Sequence, residues 1–280
     1  MQIDAHQHFW TYNAADYPWI GNGMERLADD FLPEDLEAVA RPLGFSGSVA
    51  VQARQSVAES DWLLQLADAT PFLRGVVGWV DLRSPAVSDD LARLADHERF
   101  VGVRHVVQDE PDPRFLMGEA FIRGLRELQP LGLTYDLLLF PYQVPAAIEL
   151  TALLPDQPFV LDHLAKPGIK AGEIEPWRTA FTQLASHPNV CCKLSGLVTE
   201  ADWAAWKPDD FRRYLDVALE CFGPDRLMIG SDWPVCLLAA EYAEAIDIAT
   251  TAIASLTPTE QAAIRGDTAT RFYGLKPLPT

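Results

Sequence analysis

Eight short runs of apolar and β-branched residues, at positions 2–5, 47–52, 74–80, 100–106, 133–140, 159–162, 190–194 and 227–231, punctuate this chain at fairly regular intervals. Between them lie stretches whose apolar residues recur at i, i+3 and i+4, such as Trp62, Leu63, Leu66 and Ala67, or Phe121, Leu125 and Leu128. That spacing lays one stripe of a helix against a sheet. Strand and helix therefore alternate, which calls for a parallel sheet, either open and doubly wound or closed into a barrel. Eight repeats within 280 residues favour closure into a single (β/α)8 (TIM) barrel spanning 1–280. The open sheet is the alternative, but no GxGxxG follows the first run and no GxxxxGK[ST] occurs anywhere. Two helix starts carry capping-box patterns, Ser56 with Glu59 and Thr257 with Glu260, the second with Pro258 at the favoured first position.

Charge narrows the class of partner. Asp and Glu number 40 against 22 Lys and Arg, a formal net charge of -18, and no basic run occurs. Such a field repels phosphate backbones and anionic headgroups, so neither nucleic acid nor a membrane is expected, and a small molecule is. Met1-Gln2-Ile3-Asp4 leads directly into a strand without a basic n-region, and no stretch of about 18 apolar residues follows. Cys191, Cys192, Cys221 and Cys236 show no CxxC spacing, which fits a reducing, cytoplasmic setting. Oligomeric state is not readable from these features.

Chemistry concentrates at the two ends of the chain. Alternation along the first strand puts Asp4, His6 and His8 on one face and Ile3, Ala5 and Gln7 on the other. The eighth run ends in Gly230-Ser231-Asp232-Trp233-Pro234, which sets a carboxylate at the C-terminal ends of the strands, where barrel enzymes keep their reactive groups. Closure makes strands one and eight neighbours, so His6, His8 and Asp232 converge and can hold one divalent metal ion, Zn2+ by preference, with a position left open for water. Taken singly, HxH is more often a hydrogen-bonded core pair and Asp232 a turn cap. Their predicted meeting at one point reverses the balance.

Arg104 and His105 end the fourth strand and face opposite ways, so one of them reaches the cavity; Arg104 is favoured, to polarise a substrate oxygen. Gln52 and Asp81, ending the second and third strands, are candidates to hydrogen-bond hydroxyls, and Tyr135 and Trp79 either stack on a ring or pack in the core. His97 and His187 receive no role. The aromatic-rich segment from Trp10 to Leu32 reads as a loop over the barrel mouth.

Ile3-Asp4-Ala5-His6-Gln7-His8-Phe9-Trp10, Asp162-His163-Leu164-Ala165-Lys166-Pro167, Cys192-Lys193-Leu194-Ser195-Gly196 and Gly230-Ser231-Asp232-Trp233-Pro234 together resemble the amidohydrolase-2 branch of the amidohydrolase superfamily, and more narrowly its sugar-lactone hydrolases. The likeness runs through nearly the whole chain to Ala269-Thr270-Arg271-Phe272-Tyr273, similar to the family's terminal helix. It implies that His6 and His8 are the first-strand metal pair and that Asp232 is the aspartate activating water. It also implies a catalytic part for His163; by position, Arg104, His105, Lys166 and Gln52 are the substrate-binding candidates. The implied substrate is a lactone such as L-fuconolactone or L-rhamnonolactone. Lys193 lies on a late strand and no bridging carboxylated lysine is evident, which implies one metal rather than two. Some lactonases of this branch are thought to work without any metal, so metal dependence stays open. A metal-dependent decarboxylase of an aromatic acid, and a catalytically silent binding barrel, are the alternatives.

Overall fold

The computed structural model describes residues 1–276. Eight strands, β1 (Ile3–Gln7), β2 (Gly47–Val51), β3 (Leu73–Gly78), β4 (Phe100–His105), β5 (Thr134–Leu137), β6 (Phe159–Leu161), β7 (Val190–Leu194) and β8 (Leu227–Ile229), pair in parallel and in sequence order. The helices α1 (Pro33–Ala40), α2 (Val57–Ala69), α3 (Val87–Ala95), α4 (Glu119–Leu125), α5 (Val144–Leu153), α6 (Trp177–Ala185), α7 (Pro208–Phe222) and α8 (Tyr242–Ala252) follow the strands one for one. This is the expected (β/α)8 barrel. Its strands are buried on both faces, as sheets covered by crossover helices must be, which explains why they read as continuous apolar runs. No helix among the described residues is long and apolar enough to cross a membrane.

Inside the barrel, Ile3, Ala5, Val49, Val51, Val77, Val101, Val160 and Met228 pack with Ala269, Tyr273 and Leu275 from the chain's last described segment. That segment stops the N-terminal end: at Gly266 an added Cβ would lie 2.1 Å from the Met1 carbonyl oxygen. The seam between β1 and β8 closes through Gln7 and Trp233. There the His8 N–H donates to the Trp233 carbonyl (2.7 Å) and the Asp232 N–H to the His6 carbonyl (2.8 Å). Gly230 permits this approach, since a Cβ on it would stand 2.6 Å from the Cβ of His6.

One expectation about β1 fails for a local reason. Asp4 pairs with Ser48 but Gln7 with Ala50, so three steps of β1 oppose two of β2 and the strand carries a bulge. The extra residue resets the alternation: Asp4 turns outward to the Ser231 hydroxyl (2.6 Å) and the Tyr242 hydroxyl on α8 (3.2 Å), while His6 turns inward. A second correction concerns Ser56, whose side chain makes no cap bond. Glu59 instead accepts from the Ala53 and Arg54 N–H groups (3.1 and 2.8 Å), tying down the turn after β2. The Thr257–Glu260 capping box forms in both directions. Several strands differ in extent from the runs, notably β5, which stops at Leu137, and β8, which stops at Ile229 where the chain leaves the ladder for the turn bearing Asp232.

Candidate active site

The C-terminal ends of the strands open into a cavity of about 760 Å³ whose floor includes His8, Arg104, His163 and Asp232. Trp10, anchored by a two-way backbone bridge to Phe31 (3.0 and 2.9 Å) and packed on Tyr17 and Leu27, starts the segment that walls one side, so the aromatic loop does cover the mouth. The turn after β6 is unusual: His163, Leu164, Ala165 and Lys166 all adopt positive φ, a left-handed run that L-residues resist. It is held by the Trp177 indole N–H donating to the Leu164 carbonyl (2.6 Å) and the Lys166 N–H to the His163 carbonyl (2.8 Å). Asp232 also sits in the left-handed region, at φ 59°. Both turns aim a side chain at the barrel axis.

Four titratable side chains meet there. Asp232 Oδ1 lies 3.4 Å from His8 Nε2, 3.7 Å from His6 Nε2 and 3.8 Å from His163 Nε2, and His6 and His8 approach each other to 3.2 Å through their Nε2 atoms. The Val51 carbonyl, 2.7 Å from His8 Nδ1, can only accept, so Nδ1 carries a proton, and with that single ring proton the Nε2 lone pair faces Asp232. Asp232 Oδ1 itself is buried without a hydrogen-bond partner. A lone pair and a carboxylate oxygen facing one another lack a donor, and a cation satisfies both. The spacing agrees, since ligand atoms about 2.0–2.1 Å from a tetrahedral Zn2+ stand roughly 3.4 Å apart. His6, His8 and Asp232 thus fit one divalent metal ion.

Burial dominates the protonation states. It pushes His163 down to about 4 against the attraction of Asp232 and Asp162, and it pushes His6 well below its usual value with Lys193 acting in the same direction. Both rings are neutral near pH 7. Burial would raise Asp232, but the neighbouring imidazoles of His163, His8 and His6 outweigh it and hold the carboxyl below the usual carboxylate range. The centre therefore offers an ionised carboxylate beside the neutral imidazoles of His6 and His163.

Beneath it lies a charge network. Lys193, fully buried on β7, sets its ammonium 2.5 Å from Asp136 Oδ2, 2.9 Å from Asp162 Oδ1 and 3.0 Å from His6 Nδ1. Asp162 Oδ1 is 3.3 Å from the same His6 nitrogen, Arg104 donates to Asp162 Oδ2 (3.1 Å), and the Tyr273 hydroxyl donates to Asp136 (2.9 Å). His163 is oriented from behind by the Ser195 hydroxyl, 2.9 Å from Nδ1.

The sequence candidates divide accordingly. His6, His8, His163, Arg104 and Asp232 come together, with Lys166 above them on the cavity wall, paired to Glu200 (3.1 Å). His105 does not join them: it faces the helices, stacked on Phe115 at 4.8 Å, 2.7 Å from Glu110 and accepting from the Trp79 indole at 3.2 Å. Strand parity sends one of two consecutive residues outward, and His105 is that one. Gln52 is fully buried off the cavity, and what it supplies is its carbonyl, which accepts from Arg104 at 2.5 Å. Trp79 and Tyr135 pack among outer aromatic groups, and Asp81 pairs with Arg83 at the surface. Asp136, Asp162 and Lys193 received no role in the sequence reading, although a signal existed. A charged residue inside a doubly covered strand must find a buried partner.

The amidohydrolase family model matches residues 3–275 of this chain. An L-fucono-1,5-lactonase of Burkholderia multivorans is 44% identical over 98% of this chain and 96% of its own length. An L-fucono-1,5-lactonase of Burkholderia ambifaria is 37% identical over 87% and 84%. The crystal structure of an amidohydrolase from Burkholderia multivorans with bound zinc superposes with a TM-score of 0.93 at 43% identity, covering 99% of this chain and all of that one.

Proposed function

The chain belongs to the amidohydrolase family, and from that premise we propose that it hydrolyses a neutral sugar lactone, L-fucono-1,5-lactone or a near stereoisomer, to the aldonic acid. The observation that carries this reading is the ionised Asp232 at the foot of an open cavity, ringed by the inward nitrogens of His6, His8 and His163.

Asp232, ionised at neutral pH, takes a proton from a water molecule held against it as that water adds to the lactone carbonyl. Arg104, whose guanidinium is fixed by Asp162 and the Gln52 carbonyl, lies on the cavity floor where negative charge develops on the carbonyl oxygen, and His163 faces the same volume. Asp232 then returns its proton to the ring oxygen as the C–O bond breaks, leaving a hydroxyl and a carboxylic acid, which releases its own proton to solvent at neutral pH. A divalent ion bound by His6, His8 and Asp232, with Zn2+ suited to that donor set, would supply Lewis-acid polarisation and a more acidic water. A neutral lactone suits a molecule of net charge -18, whereas a di- or tricarboxylate would meet a repulsive field.

The test is acid release from a panel containing L-fucono-1,5-lactone and L-rhamnono-1,4-lactone, run beside carbon dioxide release from aromatic acids. Asp232→Asn keeps the side chain's shape but cannot take the proton, so kcat should fall by about 10²–10⁴ with an unchanged circular dichroism spectrum. No acid from any lactone, or a fully active Asp232→Asn enzyme, overturns the proposal.

A further inference from the structure

The cavity is larger than its reaction centre requires. A hexonolactone has about a dozen non-hydrogen atoms, while about 760 Å³ lies in the upper part of the range that takes ligands of two or three rings. Two partly exposed tryptophans are among the residues that line the cavity. Trp19, on the loop that follows β1, is 39% exposed, and Trp203, in the segment after β7, is 37% exposed. Indoles are ordinarily hidden in a folded chain, and these two are left open on one cavity.

Neither indole hangs loose. Trp19 stands edge-on against the buried Trp10, with ring centroids 5.7 Å apart at 89°, and the Trp203 indole N–H donates to the Thr199 carbonyl at 2.9 Å. Each is held by one side and open on another, the condition for an apolar face that recognises a ligand without first losing rotamer freedom. Four of the charged groups that line the cavity are paired with one another, Arg54 with Asp16 at 2.5 Å and Lys166 with Glu200 at 3.1 Å, and Asp109 has no cation beside it among the described residues. That rim has little to offer an ion, but the Gln55 amide, whose oxygen is held by the Val106 N–H (3.0 Å), can still donate from its Nε2, and the Ser56 hydroxyl can donate or accept. Fixed aromatic faces, the free Nε2 of Gln55, the Ser56 hydroxyl and mostly paired charges match a neutral pyranose, whose C–H faces stack on an indole while its hydroxyls point to the sides.

We propose that Trp19 and Trp203 form a second saccharide subsite, so that the enzyme accepts aldonolactones carrying a further neutral hexosyl unit. This rests on the lactonase reading for the reaction centre but makes a separate claim about the mouth. The substrate would arise from oxidation of a disaccharide at its reducing end, and the same carbonyl would be opened by the same water.

The probes are L-fucono-1,5-lactone and its 2-O-, 3-O- and 4-O-β-D-glucopyranosyl derivatives. At least one derivative should show a KM tenfold or more below the parent's. Trp19→Ala and Trp203→Ala should raise that KM at least tenfold, with the parent's kcat/KM changed less than threefold, and Trp203→Phe should recover part of the loss. Equal losses on parent and derivative would put the indoles against the lactone itself and overturn the subsite, as would a tenfold or greater drop in kcat/KM for every derivative. Calorimetry with the open-chain acids separates the two claims. If the lactones are not hydrolysed, the reaction reading falls. The subsite still stands if a glucosyl-L-fuconate binds at least tenfold more tightly than L-fuconate in wild type but not in Trp203→Ala, and it falls if the two acids bind alike.

Discussion

Replacing Lys193 with Met tests the charge network beneath the site. The ammonium carries three N–H donors and lies within 3.0 Å of Asp136 Oδ2, Asp162 Oδ1 and His6 Nδ1. Methionine keeps much of the length and none of the charge, so two fully buried carboxyls lose their shared cation. Removing one partner from such a pair costs about 3–5 kcal/mol, because the remaining charge stays out of water. Spread over the unfolding entropy of a chain of this length, that is a fall in Tm of about 5–9 °C. The loss should depend on pH. Burial pushes the Asp136 carboxyl up to about 6, with Asp162 acting in the same direction and Lys193 opposing it. A carboxyl with a raised folded pKa binds its proton in the native state first, so its ionisation lowers stability as pH rises from about 4 to 6. Without Lys193 both carboxyls hold their protons to higher pH. The deficit of the variant is therefore greatest near pH 8 and shrinks towards pH 5.5, where the wild-type carboxyl is itself partly neutral and gains less from the ammonium. Calorimetric or fluorescence-monitored melting of both proteins at the two pH values measures this. A deficit under about 1 kcal/mol at pH 8, or one unchanged at pH 5.5, would refute the reasoning.

Other expectations follow from single contacts. Gly230→Ala drives a methyl to 2.6 Å from the His6 Cβ, so we expect about 1–3 kcal/mol of destabilisation and a drop in kcat as the seam spreads, read by melting and turnover. Thr257→Ala removes the side chain that caps Glu260 and should cost about 1 kcal/mol in a urea titration while leaving kcat/KM untouched. Elemental analysis of protein prepared with zinc should find one ion per chain, lost on dialysis against a chelator and absent from His6→Ala; undiminished metal in that variant removes His6 from the ligand set.

Periodicity was enough for the barrel, because parallel strands buried on both faces leave an apolar signature that survives in the linear chain. The convergence of His6, His8 and Asp232 followed from closure alone. What the sequence hid was local irregularity and long-range pairing. The bulge between Asp4 and Gln7 breaks the two-residue repeat without any glycine to announce it, so Asp4 was assigned to the wrong face. Ser56 and Glu59 have the spacing of a capping box, yet Glu59 serves the preceding turn. Lys193 and Asp136 were visible as charges inside strands, but their partners lie on other strands and on the terminal segment, and no local spacing records such contacts.

The meeting of the first strand with the last has a consequence for how the molecule comes into being. The reacting groups are contributed by the opening residues and by residues more than two hundred positions later, across a joint sealed by the His8–Trp233 and Asp232–His6 backbone bonds. Forming such distant pairs carries the full entropy of closing a long loop, so this joint belongs among the late events of assembly. A chain arrested with seven strands in place has half a site and no chemistry. Recovery of turnover after dilution from denaturant would then time the final stitch of the cylinder, while far-ultraviolet signals would register the earlier growth of its staves.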